Sequence, residues 1–201
     1  MSAGPVLLAT RNGAKLRELR RILRVVSDLE LLGLADVTAY DEVPETGDTF
    51  ADNALLKARE GARQTGLVTI ADDSGLTVDA LGGMPGVLSA RWAGGHGDDE
   101  ANLRLVLAHL ADVPDERRGA HFVCAAVAVT PDGRERVEHG QLDGILVRGP
   151  RGGGGFGYDP IFRPLGECRT TAEMTAAEKD AISHRAKAFR ALAPLVATLV
   201  G

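Results

Sequence analysis

The first thirty residues show apolar positions at two different spacings, which predict a strand followed by a helix. Residues 6–9 form a continuous apolar run, typical of a short buried strand, and a polar turn follows at residues 10–13. Apolar residues then recur at helical spacing, at Leu16, Leu19, Ile22, Leu23 and Val26. The turn is therefore expected at a helix N-terminus, whose N–H groups and partial positive charge suit a phosphate.

The middle of the chain alternates between helical and β-rich segments. A helix is predicted from an N-cap at about Asp48 to a C-cap near Gly66, and Asp98 can cap another one. Between these helices, residues 67–71 form a β-rich run that ends in a polar sequence at residues 72–75. This alternation predicts an α/β fold.

The second half of the chain predicts a β-hairpin and a helical end. Residues 121–129 and 135–147 are expected to be strands joined by a turn, and this hairpin is a candidate for a second lobe or a sheet edge. From Thr175 the pattern is helical, Thr175 and Glu178 fit a capping box, and Pro194 should kink or restart the helix. With no repeat and no long linker, we predict one domain over residues 1–201.

The composition excludes several classes of partner. Acidic residues number 28 against 23 basic ones, which gives a net charge of −5 and argues against binding to nucleic acid or an anionic membrane. No apolar run is long enough to span a bilayer, and the start of the chain does not resemble a signal peptide. Cys124 and Cys168 form no metal-binding spacing, so a reducing cytoplasm is the simplest expected location.

Charge and glycine are both distributed unevenly, which makes an anionic ligand compatible with the acidic chain. Residues 11–24 carry six basic side chains against one acidic one, whereas residues 25–56 contain no lysine or arginine. Of the 25 glycines, seven lie in residues 75–97 and six in residues 149–157. The pattern indicates a site with carboxylates to hold a metal and a separate basic turn to hold phosphates.

Asp72 and Asp73 follow a buried type of strand and are candidates for metal binding. Mg²⁺ prefers oxygen ligands and often binds through one or two carboxylates together with substrate phosphates. Because side chains alternate along a strand, only one of the two carboxylates should face a given site if the strand continues. The sequence of residues 72–75 is equally typical of an ordinary turn.

The first turn contains Asn12 and Lys15, which can bind a phosphate or a base through an amide and a cation. The alternative is that Asn12 caps the helix and Lys15 is a solvated surface residue. A Walker A loop is excluded, because its glycine and lysine spacing is absent.

The glycine run at residues 152–157 allows close backbone approach, with N–H groups directed at an anion or a planar base. Phe156 is a candidate for stacking on a nucleobase. The run can equally be a flexible loop, with Phe156 or Tyr158 in the core.

Lys179 and His184 are five residues apart, about 140° around an uninterrupted helix, and so would not share a face. They converge only if the helix breaks between them, with Ser183 capping a second helix that begins near His184 and Arg185. Taken singly, each is an ordinary surface cation.

In chain order, these segments resemble the inosine/xanthosine triphosphate pyrophosphatases, enzymes that remove non-standard purine nucleotides. The similar motifs are residues 8–15, 45–50, 53–58, 71–76, 85–91, 154–160 and 183–185. Each motif alone is weak, but the ordered set is highly specific and covers nearly the whole chain. The sequence departs from the family pattern at Arg11, where a small residue is common.

The resemblance implies a two-lobed α/β fold, with a long central mixed sheet flanked by helices and an active-site cleft between the lobes. It also implies a homodimer, dependence on Mg²⁺, and hydrolysis of ITP, dITP or XTP to the nucleoside monophosphate and pyrophosphate. Two alternatives remain open: a non-catalytic nucleotide-binding module, and a pyrophosphatase for other modified nucleotides.

By position, the resemblance implies roles for a set of named residues. Asp73 would be the catalytic carboxylate and, with Glu45, a metal ligand. The implied substrate-binding residues are Thr10, Arg11, Asn12, Gly13, Ala14, Lys15, Ser74, Phe156, Gly157, Tyr158, Asp159, Lys179, His184 and Arg185.

Overall fold

A computed structural model of the protein describes residues 4–26 and 29–200. Within these residues there are six strands and five α-helices, with short 3₁₀ turns between some of them. The strands are β1 (Val6–Leu8), β2 (Leu31–Gly33), β3 (Val68–Val78), β4 (Gly119–Val129), β5 (Glu135–Leu146) and β6 (Phe162–Pro164). The helices are α1 (Gly13–Val26), α2 (Phe50–Thr65), α3 (Asp99–His109), α4 (Ala176–Ile182) and α5 (His184–Val200).

The six strands form one mixed sheet in the order β2-β1-β3-β4-β5-β6. Strand β1 runs parallel to both β2 and β3, with Val6 opposite Leu31 on one side and Val68 on the other. Strand β6 is antiparallel to β5. The prediction of an α/β fold with a mixed sheet is therefore confirmed. The sequence allowed the β4–β5 hairpin to form a sheet edge. It does not, because β6 pairs with β5 on the outer side.

The chain divides into two compact units. The first consists of the residues up to Asp73, Cys124–Gly140, and those from Arg185 onward. The second consists of Ser74–Val123 and Gln141–His184. No helix in the described part of the chain is long and apolar enough to cross a membrane.

The core of the first unit has two parts, because successive residues of its strands point to opposite faces of the sheet. Ile70 packs with apolar residues of α1 and α5, including Leu19 and Phe189. The next residue, Ala71, packs instead with the alanines of α2. Helices therefore cover both faces of the sheet in this unit.

The second unit has its own core, in which α3 packs through Leu103 and Val106 against apolar residues that include Phe122 and Phe162. The buried guanidinium of Arg118 donates hydrogen bonds to backbone carbonyl groups, at 2.6 Å for Leu110 and 2.8 Å for Leu146. These bonds replace the hydrogen bonds to water that the guanidinium loses when it is buried.

Three predicted boundaries are wrong. Strand β3 does not end at residue 71 but continues through residues 72–75 to Val78. The N-cap of α2 is Thr49 rather than Asp48, because its hydroxyl accepts the Asp52 N–H at 3.1 Å. Of the two effects expected of Pro194, a restart of the helix is wrong, because Pro194 lies inside one continuous α5, whereas the kink stays a prediction. The predicted C-cap at Gly66 is confirmed, as are the caps at Asp98 and Thr175.

Candidate active site

Strand β3 carries two adjacent carboxylates, Asp72 and Asp73, and both are buried. Their side chains have different partners, as the alternation of a strand requires. Asp72 contacts Lys15 and Arg185, whereas Asp73 contacts residues of α2. The prediction that only one of the two can face a given site is confirmed, and the turn interpretation of this sequence is wrong.

Asp73 belongs to a cluster built by α2 and the segment before it. The Lys57 ammonium lies 3.5 Å from Asp73 Oδ1 and 2.9 Å from Glu45 Oε1. The Asn53 amide donates to Asp73 Oδ2 at 3.3 Å. Asn53 and Lys57 are four residues apart, so they share one face of α2. The structure thus brings together Glu45 and Asp73, the two predicted metal ligands, around one lysine.

The electrostatics of this cluster give Asp73 the character of a proton acceptor. Burial raises the pKa of the Asp73 carboxyl, and although Lys57 and Lys15 act against it, the pKa remains above its usual value. Burial works against the charge of Lys57, but Asp73, Asp72 and Glu45 outweigh it and raise the pKa of its ammonium. Lys57 therefore stays charged beside the carboxylates.

Asp72 lies at the centre of a second, largely buried set of charges. Lys15 Nζ is 3.1 Å and Arg185 Nε 3.3 Å from Asp72 Oδ2, and Arg185 also pairs with Glu18. Burial alone would raise the pKa of Asp72, but the Coulombic attraction of Lys15 and Arg185 holds it well below its usual range. The nearby Cys124 thiol, 3.9 Å from Asp72, is buried, and burial raises its pKa.

The donor set around Asp73 fits Mg²⁺. Glu45 and Asp73 both approach the ammonium of Lys57, so their oxygens converge on one place. Among the described residues, no three His, Cys, Asp or Glu side chains group closely enough to hold a metal. A cation here would therefore take its remaining ligands from water and phosphate, which is the usual way in which Mg²⁺ binds at such sites.

The first turn is ordered by its own side chains. Asn12 Oδ1 accepts the N–H groups of Ala14 and Lys15, at 2.9 and 3.1 Å, so the capping interpretation of Asn12 is confirmed. Thr10 Oγ1 accepts the N–H of Asn12 at 3.3 Å. The Lys15 side chain is only 13% exposed, so it is not the solvated surface residue that the sequence allowed.

Arg11, the residue that departs from the family pattern, contacts the segment around Tyr40. Its Nη2 donates to the Tyr40 carbonyl at 2.6 Å, and its Nε lies 3.7 Å from Glu42. Gly13 is the first residue of α1. The turn therefore positions Lys15 at Asp72 and directs Arg11 to the segment around Tyr40.

In the second unit, Asp159 is the centre of a buried network. Its Oδ2 accepts the Lys179 ammonium at 2.6 Å and the Phe156 N–H at 2.8 Å, and its Oδ1 accepts the Thr171 hydroxyl at 2.7 Å. Lys179 also lies 5.1 Å from the centre of the Phe156 ring, within the range of a cation–π contact. The structure thus brings together Phe156, Asp159 and Lys179.

Part of the glycine loop is held by hydrogen bonds to other residues of the protein. The N–H groups of Gly154, Phe156 and Gly157 donate to a carbonyl group or carboxylates of the same unit. For these three amides of the run, the expectation of N–H groups available to an anion is therefore wrong. Gly155 passes so close to Asp159 that a Cβ would lie 2.0 Å from its Oδ2, which is why glycine is needed there.

The remaining predicted residues of this unit have structural partners. The Tyr158 hydroxyl donates to the Ser89 carbonyl at 2.8 Å, and burial raises the pKa of this tyrosine. The His184 ring stacks on Phe122, with ring centres 5.0 Å apart. Ser74 is half-buried in β3, next along the chain from Asp73.

The helical stretch expected from Thr175 onward is interrupted at Ser183, which is the condition that the sequence set for Lys179 and His184 to come together. Helix α4 ends at Ile182, Ser183 is extended, and α5 begins at His184. His184 and Arg185 are therefore the first two residues of α5. Both are buried, and so is Lys179 on the preceding helix, which excludes the interpretation of any of the three as an ordinary surface cation.

Asn53, Lys57 and Glu18 are prominent in the structure, but sequence reasoning gave them no role. A signal was available for the first two, because residues 53–58 match a family motif and positions four apart share a helix face. For Glu18 the signal was weaker: it is the lone acidic residue within the basic residues 11–24.

Comparison with known proteins gives consistent matches over nearly the whole chain. The model of the Ham1 family matches residues 6–195. A dITP/XTP pyrophosphatase of Mycobacteroides abscessus is 59% identical over 197 residues, which cover 97% of this chain and 96% of that protein. A dITP/XTP pyrophosphatase of Streptomyces coelicolor is also 59% identical over 197 residues, and the match covers 98% of both chains.

Solved structures agree with these matches. The structure of a HAM1 protein from Coxiella burnetii superimposes with a TM-score of 0.86 at 39% identity, covering 96% of this chain and 98% of that one. The crystal structure of a dITP/XTP pyrophosphatase from Mycobacterium abscessus gives a TM-score of 0.78 at 59% identity, covering 95% of this chain and all of that one.

Proposed function

The chain belongs to the Ham1 family, and from this membership we propose that it hydrolyses the triphosphates of non-standard purine nucleosides, namely ITP, dITP and XTP. The products are the nucleoside monophosphate and pyrophosphate, so the bond that breaks joins the α- and β-phosphates. The reaction removes these nucleotides from the nucleotide pool. Relatives named dITP/XTP pyrophosphatase, matched over nearly their whole length, support the proposal.

The observation that carries this proposal is the arrangement around Asp73. A buried carboxylate with a raised pKa lies beside a charged lysine and a second carboxylate, and the adjacent Asp72 holds the ammonium of Lys15. Acids and cations in this arrangement suit phosphoanhydride chemistry, in which positioning and charge neutralisation contribute most of the catalysis. A nucleophilic serine or cysteine is not required.

Each of these residues has a distinct part in the proposed reaction. Asp73 orients a water molecule and accepts its proton, which a carboxylate with a raised pKa does more readily than an ordinary aspartate. Lys15 and the first turn bind the phosphates, and Lys57 keeps Asp73 and Glu45 in place. Mg²⁺ held by Glu45 and Asp73 would supply positive charge for the phosphate oxygens.

Base recognition is assigned to the network around Asp159. Phe156 stacks on the purine, a contact worth about 1–3 kcal/mol for an aromatic side chain and a base. Lys179 donates a hydrogen bond to the 6-oxo group, which adenine lacks, while Asp159 fixes its ammonium. Guanine shares the 6-oxo group, so its rejection depends on the 2-position. Sites with polar contacts of this kind discriminate strongly between related substrates.

A rate panel tests the proposed function. Pyrophosphate and orthophosphate are measured after incubation with ITP, XTP, dITP, GTP and the pyrimidine triphosphates, in Mg²⁺ and in EDTA. We expect pyrophosphate from the first three, little from the others, and none in EDTA. The Asp73→Asn variant is the control for a contaminating activity.

Other outcomes of this panel would contradict the proposal. Binding of ITP without any release of pyrophosphate would favour a non-catalytic nucleotide-binding module. Faster hydrolysis of methylated or pyrimidine triphosphates would point to a pyrophosphatase for other modified nucleotides. Release of orthophosphate would show that a different bond is cleaved.

We also propose that the protein acts as a homodimer in the cytoplasm, without nucleic acid or membrane as partners. The dimer rests on the family resemblance, the acidic net charge argues against nucleic acid and anionic membranes, and the two cysteines, neither of which forms a disulfide, fit a reducing compartment. Light scattering on the purified protein should give twice the mass of one chain. A mass equal to one chain would contradict the dimer.

A further inference from the structure

We propose that Asp99, a residue outside every motif of the family resemblance, is a positioning residue that fixes the glycine loop for base recognition. The inference rests on the proposed function, since it assumes that Phe156 stacks on the substrate base. Asp99 is the first residue of α3, and its Oδ2 accepts the N–H of Gly157 at 2.8 Å. Gly157 directly follows Phe156 in the chain.

The carboxylate of Asp99 is not required to cap its own helix. The N-cap of α3 is Asp98, whose Oδ1 accepts the N–H of Ala101 at 2.9 Å. A helix has N–H groups to satisfy at its start, and Asp98 serves that purpose here. The bond from Asp99 instead joins α3 to a loop 58 residues further along the chain.

Helix α3 is a firm support for such a bond. The buried Asn102 accepts the Ala93 N–H at 2.7 Å and donates to the Ala90 carbonyl at 3.3 Å. Leu103 and Val106 lie in the core of the second unit. Asp99 therefore lies on a helix that is held in place by its apolar packing and by the hydrogen bonds of Asn102 to residues 90 and 93.

Two carboxylates fix the backbone on both sides of Phe156. Asp159 accepts the N–H of Phe156 itself at 2.8 Å, and Asp99 accepts that of the following residue, Gly157. Together they set the two peptide planes that flank the ring, and those planes determine where the ring points. Gly157 has a φ of +61°, so the chain here has little conformational preference of its own to hold it.

The loop has space beside it in which to move. A cavity of about 390 Å³ lies between α3 and the glycine loop, lined by Asp99, Glu100 and Arg104 on one side and by Phe156 on the other. The Asp99–Gly157 hydrogen bond is a direct polar link between α3 and the loop beside this cavity, and its loss should let the backbone after Phe156 rearrange.

Three variants test this proposal. Asp99→Ala removes the acceptor, Asp99→Asn keeps an oxygen acceptor without the charge, and Glu100→Ala changes the next residue on the same wall of the cavity. KM and kcat are measured with ITP. Hydrogen exchange of the backbone in residues 151–160 is measured in the nucleotide-free protein.

We expect Asp99→Ala to raise KM roughly five- to tenfold, the usual loss for one hydrogen bond, with little change in kcat. Exchange in residues 151–160 should become faster in that variant. Asp99→Asn should restore most of the protection and most of the affinity, and Glu100→Ala should match the wild type in both measurements.

Unchanged KM and unchanged exchange in Asp99→Ala would overturn the proposal, as would an Asp99→Asn variant no better than Asp99→Ala. A fall in kcat with constant KM would place Asp99 in the chemical step and would also overturn it. A wild-type protein that releases no pyrophosphate from ITP would refute the proposed function, whereas the exchange measurement would still test the link between Asp99 and the loop.

Discussion

Asp72 and Asp73 are neighbours on one strand, yet the pKa values of their carboxyl groups are shifted in opposite directions. Burial raises the pKa of each. At Asp72 the attraction of Lys15 and Arg185 is stronger than the effect of burial, so the pKa falls. At Asp73 burial remains the stronger influence, and the pKa rises. One carboxylate is thereby a permanent structural anion, and its neighbour is suited to exchanging a proton.

This contrast predicts that substitution at Asp73 affects activity but not stability. Asp73→Asn removes the proton acceptor and a metal ligand, so kcat with ITP should fall by about 10² or more while substrate still binds. Because ionisation of a carboxyl with a raised folded-state pKa costs stability, the neutral amide should leave the free energy of unfolding unchanged or slightly higher. Wild-type turnover in this variant would remove Asp73 from the mechanism.

Asp72→Asn should have the opposite profile. The substitution leaves Lys15 and the buried Arg185 without their shared anion, and breaking a buried ion pair typically costs about 3–5 kcal/mol. Since Arg185 keeps Glu18, we expect a loss near the lower end of this range. Urea unfolding of the Asp72→Asn and Asp73→Asn variants side by side measures the difference. Equal stability of the two would contradict the assignment.

Lys15→Ala should mainly weaken nucleotide binding. The Lys15 ammonium is largely buried and contacts Asp72. In the proposed reaction it also binds the phosphates, so its removal takes away a positive charge from the triphosphate site. We expect KM for ITP to rise about tenfold, in line with the loss of one charge-assisted hydrogen bond. Arg17→Ala, an exposed cation on the same helix, is the matched control and should be neutral.

His121 predicts a pH-dependent contribution to stability in the second unit. Its Nδ1 lies 2.7 Å from Asp143 and its Nε2 3.1 Å from Asp79, with Gln141 also beside the ring. Burial opposes the charge, but the bonds to Asp143 and Asp79 outweigh it and raise the pKa of His121. Only the protonated ring can donate to both carboxylates at once.

The sign of this effect follows from the raised folded-state pKa. The stabilisation is complete below the unfolded value of about 6.5 and is lost as the pH rises through the folded-state pKa. His121→Gln should therefore lower the melting temperature at pH 5.5, by an amount equivalent to about 1 kcal/mol or less, and have little effect at pH 9. His139→Gln, at an exposed position, serves as the control. An equal loss at both pH values would contradict this account.

Local signals in the sequence correctly predicted much of the fold. The caps of α3 and α4 and the turn before α1 all depend on hydrogen bonds between residues close in the chain. Side chains with such short-range partners can be interpreted from spacing alone. This explains why the two helix starts and the first turn were predicted correctly.

Long-range partners explain what the sequence alone did not predict. Residues 72–75 have turn-like composition, but β3 continues through them because cations from other elements neutralise its carboxylates. Strand β6 has three residues and forms by pairing with β5, so no pattern of its own predicts it. The place of Lys57 beside both Glu45 and Asp73 likewise depends on tertiary packing rather than on any local pattern.

The burial of Cys124 has a practical consequence for studying this protein. Its thiol is enclosed near Asp72 with a raised pKa, so it stays protonated and unreactive, whereas Cys168 is exposed. Because the chain has only these two cysteines, a maleimide dye should attach to Cys168 alone. The unaltered protein therefore has a single labelling position, and a dye can be attached without any substitution near the carboxylates.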